Sequence, residues 1–292
     1  MELEFAPIDL GRQHQYRKML EQCTQIASDY SFINIWSWQQ EYGLQWAWQD
    51  QLVWIRQSSP KPALWAPVGN WSAVTWSDAM AKAKQICSCM IRIPQKLLDH
   101  WQGHLSDDIR IVEAREHWDY LYEREDLANL RGNRFHKKKN LVNQFKKKYE
   151  HTYLPMGPEM VLYALEMQNN WCMWRDCENH DTLAAENRAI AKVLRNWQSL
   201  EGITGGALRV DDWLAAYTIA ETMPDNTLLI HFEKGDPDYK GSYQAINQFF
   251  VDRTEGDFHL VNREQDLGDE GLRKAKMSYH PVDFVRKFRL EF

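Results

Sequence analysis

The last ninety residues of the chain combine apolar runs, tight turns and a glycine loop in an order that few folds accommodate. Proline fixes φ, and Asp and Asn side chains bond to their own backbone, so Met223-Pro224-Asp225-Asn226 predicts a turn between two strands. The predicted strands are residues 203–210, 213–223, 227–232, 258–261 and 282–292, and the predicted helices are residues 242–253 and 268–278. This order predicts a mixed α/β (α+β) domain in which a polar glycine loop, residues 234–241, joins the third strand to a helix.

Large aromatic rings dominate the first part of the chain, where nine of the fourteen tryptophans precede residue 102. The alternation Trp46-Ala47-Trp48 is typical of a half-buried strand, and residues 44–48 and 52–56 predict a hairpin. We therefore expect the tryptophans to fill a core, with an aromatic binding wall as the alternative. The character of the chain changes near residues 116–129, which predicts two domains, residues 1–118 and 119–292.

Several features predict a soluble, cytoplasmic protein. No apolar run reaches the 18 residues of a membrane span, and residues 1–12 lack the apolar segment of a signal peptide. Five cysteines, an odd number, predict reduced thiols rather than a disulfide framework. Cys172, Cys177 and His180 lack the close spacing of structural zinc ligands, so no metal site is predicted.

One stretch of the chain is strongly basic. Residues 131–148 hold eight Lys or Arg and no acid, whereas the remaining residues hold 27 bases against 41 acids. Such a segment predicts a helix that binds a phosphate backbone, for example that of a tRNA acceptor stem; a solvated helix face is the alternative. The predicted nucleic-acid-binding residues are Arg131, Arg134, Lys137, Lys138 and Lys139.

Three motifs carry a resemblance to a known family: HFEKGDPDYKGSYQAIN (residues 231–247), VNREQDLG (residues 261–268) and GLRKAKMSYHP (residues 271–281). They resemble a soluble bacterial family that is grouped with the C-terminal catalytic domain of phosphatidylglycerol lysyltransferase, also called aminoacyl-phosphatidylglycerol synthase. The match runs over most of the chain. The resemblance implies two GNAT-like, Fem-like acyltransferase domains in tandem, each a mixed sheet flanked by helices. The related membrane enzymes move an aminoacyl group from charged tRNA to a lipid and carry a transmembrane region, which this sequence does not contain.

A GNAT-type fold predicts where the site lies. Two adjacent strands diverge there, and the loop-to-helix junction presents N–H groups to a phosphate. Glu233, near the end of the third strand, is the expected general base, and Tyr279 is the expected general acid because GNAT enzymes often keep a tyrosine at that position. The predicted substrate-binding residues are Lys234, Tyr239, Lys240, Asn262, Arg263, Arg273 and Lys276. The alternatives are an exposed ion pair at the strand end, a plain turn, a buried packing tyrosine and, for His231, a packed and hydrogen-bonded side chain.

These observations predict an acyl or aminoacyl transferase. Its donor, used as a co-substrate rather than as a tightly bound cofactor, would be aminoacyl-tRNA or an acyl-CoA; its acceptor would be a small molecule or a lipid headgroup. Coenzyme A is the weaker donor candidate, because the loop lacks the usual Arg/Gln-x-x-Gly-x-Gly/Ala form. The rival hypothesis is a non-catalytic RNA- or ligand-binding protein on a GNAT-like scaffold. If Glu233, Tyr279 and the cationic side chains converge on one cleft, catalysis is favoured.

Overall fold

The computed structural model describes residues 3–292, apart from the side chain of Glu178. Its strands are β1 (Ala6–Pro7), β2 (Gln45–Gln49), β3 (Leu52–Gln57), β4 (Ala63–Gly69), β5 (Cys89–Pro94), β6 (Arg110–Glu113), β7 (Asp119–Glu123), β8 (His151–Pro155), β9 (Ile203–Val210), β10 (Trp213–Thr222), β11 (Thr227–Gly235), β12 (Leu260–Asn262), β13 (Asp283–Val285) and β14 (Lys287–Glu291). Its α-helices are α1 (Gln13–Leu20), α2 (Phe32–Ser37), α3 (Gln39–Tyr42), α4 (Trp76–Ile86), α5 (Gln95–His100), α6 (Arg124–Asn129), α7 (His136–Lys148), α8 (Pro158–Trp174), α9 (Asp181–Arg195), α10 (Ser242–Arg253) and α11 (Glu270–Met277).

The strands form two seven-stranded sheets, in the orders β1-β2-β3-β4-β5-β14-β6 and β13-β7-β12-β11-β10-β9-β8. Both sheets are built in the same way. An antiparallel meander (β2-β3-β4 or β9-β10-β11) leads through a helix (α4 or α10) to a strand that runs parallel to the last strand of the meander. This arrangement confirms the predicted fold class: two GNAT-like domains in tandem, each a mixed sheet flanked by helices.

Two compact units divide the chain, and each draws on separate stretches of sequence. The first unit holds the chain up to Asp119 together with Gln265–Glu270 and Phe284–Phe292. The second unit holds Tyr120–Glu264 and Gly271–Asp283. Both sheets therefore depend on segments that are far apart along the chain.

Tryptophan rings fill the core of the first unit. Seven of the nine tryptophans before residue 102 are buried, and Trp46, Trp71 and Trp101 are among the largest fully buried side chains. Ring contacts join Trp46 to Trp48 and Trp76 to Trp101, with centroids 5.2 and 5.1 Å apart. Packed rings of this size contribute much of a core's apolar burial. The predicted core role of these tryptophans is confirmed.

The first unit also contains a buried charge cluster, which we define as Asp29, Arg92, Asp119 and Lys287. The Lys287 ammonium contacts the Asp29 carboxylate and lies 2.6 Å from Asp119 Oδ1, and Arg92 Nη1 lies 2.8 Å from Asp29 Oδ1. The Lys287 and Asp119 side chains are fully buried. Two acids and two bases balance, as buried ions must when water is excluded.

His117 accepts a hydrogen bond in the same region. Its Nδ1 lies 2.8 Å from Arg92 Nη1. Burial, and secondarily the adjacent Arg92 cation, lower the pKa of His117 to about 3. His117 is therefore neutral near pH 7, and its Nδ1 accepts a hydrogen bond from Arg92 Nη1.

In the second unit the sheet opens where β11 and β12 part. The two strands pair only from Thr227–Leu229 to Leu260–Asn262, and β11 then continues to Gly235 without β12 beside it. The chain returns through a loop to α10, and Gly241 in that loop has φ +92°. A Cβ on Gly241 would lie 2.4 Å from the Leu141 carbonyl oxygen of α7, so glycine is needed for the packing of α7 against the loop.

The structure bears on two expectations, one about membrane-spanning helices and one about the thiols. Among residues 3–292, no helix is long and apolar enough to cross a membrane. Cys172 and Cys177, however, form a disulfide, so the prediction that all thiols are reduced was wrong for this pair. The turn after α8 brings their Cα atoms to 5.1 Å, within the range that a disulfide spans. Cys23, Cys87 and Cys89 are free.

Candidate functional site in the opening between two strands

Glu233 lies on the part of β11 that β12 does not cover. Its Oε1 accepts a hydrogen bond from Arg263 Nη2 and its Oε2 accepts one from Asn247 Nδ2, both at 2.9 Å. The Glu233 side chain is 10% exposed and that of Arg263 14%. Arg263 directly follows β12 and Asn247 lies on α10, so the opening in the sheet brings together three elements that are distant in sequence.

Two tyrosines and a lysine surround the Arg263 guanidinium. Its central carbon lies 4.7 Å from the centre of the Tyr279 ring and 5.8 Å from that of Tyr122. Lys138, from the basic helix α7, places its ammonium 4.2 Å from the same Tyr279 ring. Lys276 donates a hydrogen bond to the backbone oxygen of Arg263, which anchors the segment that carries the guanidinium.

Burial and charge set the protonation states of these groups. Burial raises the pKa of Tyr279 to about 12, although the adjacent Arg263 opposes it. Burial, followed by repulsion from Arg263, lowers the pKa of Lys138. Burial alone would lower the pKa of Arg263, but Glu233 and the two tyrosines raise it overall. Tyr279 therefore holds its proton at neutral pH.

The predicted site residues thus fall into separate groups. Glu233, Arg263, Lys276 and Tyr279 come together. Lys234, the next residue along β11 from Glu233, points to the other face of the sheet, where its ammonium lies 2.7 Å from Glu186 Oε2 and 3.9 Å from the centre of the Trp171 ring. The alternation of side chains along a strand accounts for this separation.

The remaining predicted substrate-binding residues lie around the site or in the loop. Asn262 is buried, and its Oδ1 accepts a hydrogen bond from the Glu264 amide. Arg273 is half-buried on α11, three residues before Lys276. Tyr239 packs against Tyr149 with ring centres 5.2 Å apart, and Lys240 is exposed.

The loop before α10 uses most of its own amides. The Asp236 amide donates to Ala215, the Asp238 and Tyr239 amides donate to Asp236, and the Ser242 amide donates to Tyr239. The amide position between Asp236 and Asp238 is a proline, which has no N–H. Three amides of this loop, those of Asp236, Asp238 and Tyr239, are therefore bonded within the protein.

A cavity of about 340 Å³ adjoins the same loop and is acidic. Its lining includes four carboxylates and four aromatic rings: Glu166, Asp212, Asp236, Asp238, Tyr163, Trp174, Trp213 and Tyr239. Burial raises the pKa of Asp236; the hydrogen bond from the Asp238 amide opposes this, and repulsion from the Asp238 carboxylate adds to it. A negative cavity opposes the binding of a phosphate at the loop.

The basic stretch is shorter as a helix than the sequence indicates. Helix α7 begins at His136, because Gly132 adopts φ +85° and a single 3₁₀ turn follows. Arg134 pairs with Asp126 at 2.6 Å, so an acid from outside the stretch partly neutralises it. Arg131, Lys137 and Lys139 are exposed, whereas Lys138 is half-buried beside Tyr279.

A buried histidine beside this site forms hydrogen bonds to two carboxylates. His231 lies between two carboxylates, with Nε2 3.1 Å from Glu221 Oε1 and Nδ1 3.1 Å from Glu264 Oε1. Burial alone would lower the pKa of His231, but the hydrogen bonds to both carboxylates raise it to about 9. The interpretation of His231 as a packed, hydrogen-bonded side chain is confirmed; the two carboxylates were not predicted.

The raised pKa of His231 predicts that stability depends on pH. A group whose pKa is higher in the folded state contributes its full stabilisation below its unfolded pKa, about 6.5, and loses it as the pH rises through about 9. We expect the free energy of unfolding to fall by up to about 3 kcal/mol between pH 6.5 and 9.5. Urea titrations across this range measure the fall. The His231→Gln variant should remove most of it, and an unchanged slope in that variant would contradict the assignment.

The sequence and the fold of this chain both match known proteins. The sequence model described as phosphatidylglycerol lysyltransferase, C-terminal, matches residues 21–291. A conserved protein of unknown function from Bacteroides thetaiotaomicron is 30% identical, with a TM-score of 0.89 and 99% of each chain covered. The C-terminal domain of a proposed lysylphosphatidylglycerol synthetase from Agrobacterium fabrum has a TM-score of 0.65 at 11% identity, over 97% of this chain and 92% of that one. An uncharacterised protein of Mycoplasmoides gallisepticum is 25% identical over 62% of this chain, and the match spans 58% of that relative.

The fold and the family point to the same class of protein. The structure has two mixed sheets, and a polar site lies where two strands of the second sheet part. The chain belongs to the phosphatidylglycerol lysyltransferase C-terminal family. Family and fold together suggest an acyltransferase of this type.

Proposed function

We propose that the protein transfers an aminoacyl group from aminoacyl-tRNA to a hydroxyl or amine acceptor in the opening between β11 and β12. The observation that carries the proposal is the position of Lys138. This lysine belongs to the basic helix α7, and its ammonium lies 4.2 Å from the centre of the Tyr279 ring. An RNA strand held by the exposed Lys137 and Lys139 would bring its 3′ end to Arg263 and Glu233.

The residues of the opening supply the groups that the reaction needs. The acceptor attacks the ester carbonyl carbon, and Arg263 stabilises the negative charge that develops on the carbonyl oxygen. The bond to the ribose oxygen then breaks, and Tyr279 donates a proton to that leaving oxygen. Glu233 takes the proton of the acceptor and transfers it to Tyr279. Both residues then have the protonation states in which they began.

The loop before α10 favours tRNA over coenzyme A as the donor. Its amides at Asp236, Asp238 and Tyr239 are already bonded within the protein, and the adjoining cavity is lined by carboxylates. A coenzyme A pyrophosphate at this junction would meet the negative charge of the cavity lining. The basic face of α7, in contrast, offers exposed cations to a polyanion.

The proposal names only the chemical class of the acceptor. The family's description names phosphatidylglycerol, whose headgroup offers hydroxyls. A soluble molecule with a hydroxyl or amine would fit the same chemistry. A charged tRNA donor places the reaction in the cytoplasm.

One observation favours a non-catalytic RNA-binding protein instead. Both oxygens of Glu233 are engaged, one by Arg263 and one by Asn247, as they would be in a purely structural ion pair. In that case the basic helix would bind RNA, and no acyl group would move.

Turnover assays separate these two hypotheses. The full chain is incubated with charged tRNA and hydroxylamine, a general nucleophile, and separately with acetyl-coenzyme A and the same nucleophile. We expect aminoacyl hydroxamate from tRNA at a rate at least about tenfold above the uncatalysed one, and no thiol release. Salt-sensitive RNA binding without hydroxamate would support the RNA-binding alternative and overturn the proposal.

Charge reversal on α7 provides the matched control. Lys137→Glu with Lys139→Glu should raise the KM for charged tRNA by about tenfold or more, because two phosphate contacts are replaced by repulsion. Lys147→Glu with Lys148→Glu changes two exposed lysines at the far end of the same helix and should have a smaller effect. Equal effects of the two changes would argue against a tRNA path that ends at Lys138.

A further inference from the structure

The acidic cavity beside the loop before α10 has no role in the proposed transfer. Its volume, about 340 Å³, is within the range of small-molecule sites. Its lining includes neither Glu233, Arg263 nor Tyr279, which belong to the opening between β11 and β12. The cavity is therefore a candidate site for a different ligand.

Three elements of the second unit form the walls of the cavity. Helix α8 contributes five residues between positions 163 and 174, and their spacing places them on one face of the helix. The start of β10, with the turn before it, contributes residues 212–214. The loop before α10 contributes Asp236, Asp238 and Tyr239.

The loop wall is held in place by bonds within the protein. The Asp236 amide donates to the Ala215 backbone oxygen at 2.9 Å, and the Asp238 amide donates to Asp236 Oδ1 at 2.8 Å. Tyr149 packs against the Tyr239 ring and donates from its hydroxyl to the Asp238 backbone oxygen. A wall fixed in this way is preorganised, which lowers the entropic cost of binding a ligand.

The charge of the lining has one sign. Among the described residues that line the cavity, four carry carboxylates and none is a lysine, arginine or histidine. Glu166 comes from α8, Asp212 from the turn before β10, and Asp236 and Asp238 from the loop, so the carboxylates surround the space instead of following one another along the chain. A ligand with several positive charges is attracted by all of them.

Aromatic rings give a second, independent indication of a cationic ligand. Among the tryptophans of residues 3–292, only Trp174 and Trp213 are exposed, by 47% and 58%, and both line this cavity. Large exposed rings gathered at a cavity mark a binding surface. The face of a tryptophan ring attracts cations more strongly than that of any other side chain.

The spacing of the carboxylates narrows the class of ligand. The described residues contain no group of three or more His, Cys, Asp or Glu side chains that could hold a metal ion, so these carboxylates do not converge on one point. An anion would be repelled, and a neutral molecule would leave the carboxylates unbalanced. An aliphatic polyamine carries ammonium groups at intervals for the separate carboxylates, and methylene segments for the rings.

We propose that this cavity binds a small aliphatic polyamine, with its ammonium groups paired to the carboxylates of the lining and its methylene chain against Trp174 and Trp213. The site is distinct from the opening between β11 and β12. The proposal therefore stands or fails independently of the proposed transfer.

Calorimetry with the full chain tests the class of ligand. The probes are spermidine, which carries several ammonium groups, hexylamine, which carries a single one, and hexane-1,6-diol, which is neutral. We expect spermidine to bind at least about tenfold more tightly than hexylamine, because each further ammonium meets another carboxylate. The diol should give no binding heat. Equal affinities for spermidine and hexylamine would overturn the assignment of a polyamine.

A matched pair of double variants locates the site. Glu166→Gln with Asp212→Asn removes two carboxylates of the lining at nearly constant shape, and we expect the affinity for spermidine to fall by about tenfold or more. Glu159→Gln with Asp211→Asn removes two exposed carboxylates from the same helix and the same turn that do not line the cavity. This second change should lower the affinity by less than about threefold, because solvent screens exposed charges.

A further variant tests the rings. Trp213→Leu keeps an apolar side chain but removes the aromatic face, and it should weaken spermidine binding by about three- to fivefold. An unchanged affinity in this variant would contradict the contact with the rings. Thermal melts establish that each variant is folded. Equal losses in the two double variants, or no binding of spermidine by the wild-type chain, would overturn the proposal.

Discussion

Replacement of Lys287 by methionine is expected to destabilise the first unit by about 3–5 kcal/mol. Lys287 lies between Asp29 and Asp119 in the buried charge cluster, and its side chain is fully buried. Without the ammonium, Arg92 alone faces two buried carboxylates, and one negative charge is left unbalanced away from water. Urea unfolding followed by tryptophan fluorescence measures the loss, because nine of the fourteen tryptophans precede residue 102.

A matched variant shows that the effect belongs to the cluster. Lys61→Met removes an exposed lysine from the same unit and should change the free energy of unfolding by less than about 0.5 kcal/mol. A loss below about 1 kcal/mol in Lys287→Met would contradict the account of a balanced buried cluster.

The cluster also predicts how the protein responds to acid. Burial raises the pKa of Asp29, but Arg92 and Lys287 outweigh burial and lower it overall. A carboxyl whose pKa is lower in the folded state contributes stability above its unfolded pKa, near 3.9, and loses it as the pH falls through the folded value. The stability that Asp29 contributes is therefore present at neutral pH and is lost in acid below about pH 4.

Replacement of Arg263 by methionine is expected to lower the rate of aminoacyl transfer by about 100- to 1000-fold. Arg263 lies in the opening between β11 and β12. Its guanidinium pairs with Glu233 and packs against Tyr279. In the proposed reaction it meets the oxygen on which negative charge develops. The rate is measured as hydroxamate formed from charged tRNA, with the concentration of folded protein checked by thermal melting.

Two further variants separate catalysis from structure. Arg263→Lys keeps the charge but loses the fork that donates from two nitrogens, and we expect it to recover only part of the rate. Arg209→Met changes a half-buried arginine on β9 and should leave the rate within about twofold. If Arg263→Met lowers the melting temperature while the rate per folded molecule is unchanged, Arg263 is structural and the catalytic assignment is wrong.

The sequence predicted the local elements of the second unit well. The strand at residues 203–210 and the helix at residues 242–253 have the bounds expected from their apolar patterns and turns. The predicted third strand ended at residue 232, whereas β11 runs to Gly235. The longer strand places Glu233 and Lys234 on opposite faces, whereas the prediction assigned both residues to one site at the strand end.

Other features depend on contacts that no local pattern contains. In the sequence, Asn247 is one polar position in an amphipathic helix. Its contact with Glu233, beside Arg263, depends on the pairing of β11 with β12. Residues 265–270 and 284–292 return to the first unit from the far end of the chain. Lys287 meets Asp29 for the same reason, so a buried charge balance made by residues so far apart was not predictable from either segment.

The central claim is tested most directly by a structure of the full chain with a probe, namely adenosine that carries a phenylalanyl group through a stable 3′-amide. The account predicts that the aminoacyl group lies in the opening between β11 and β12, with its carbonyl oxygen within hydrogen-bond distance of the Arg263 guanidinium. Binding of the probe in the acidic cavity beside Tyr239, with the opening empty, would contradict it.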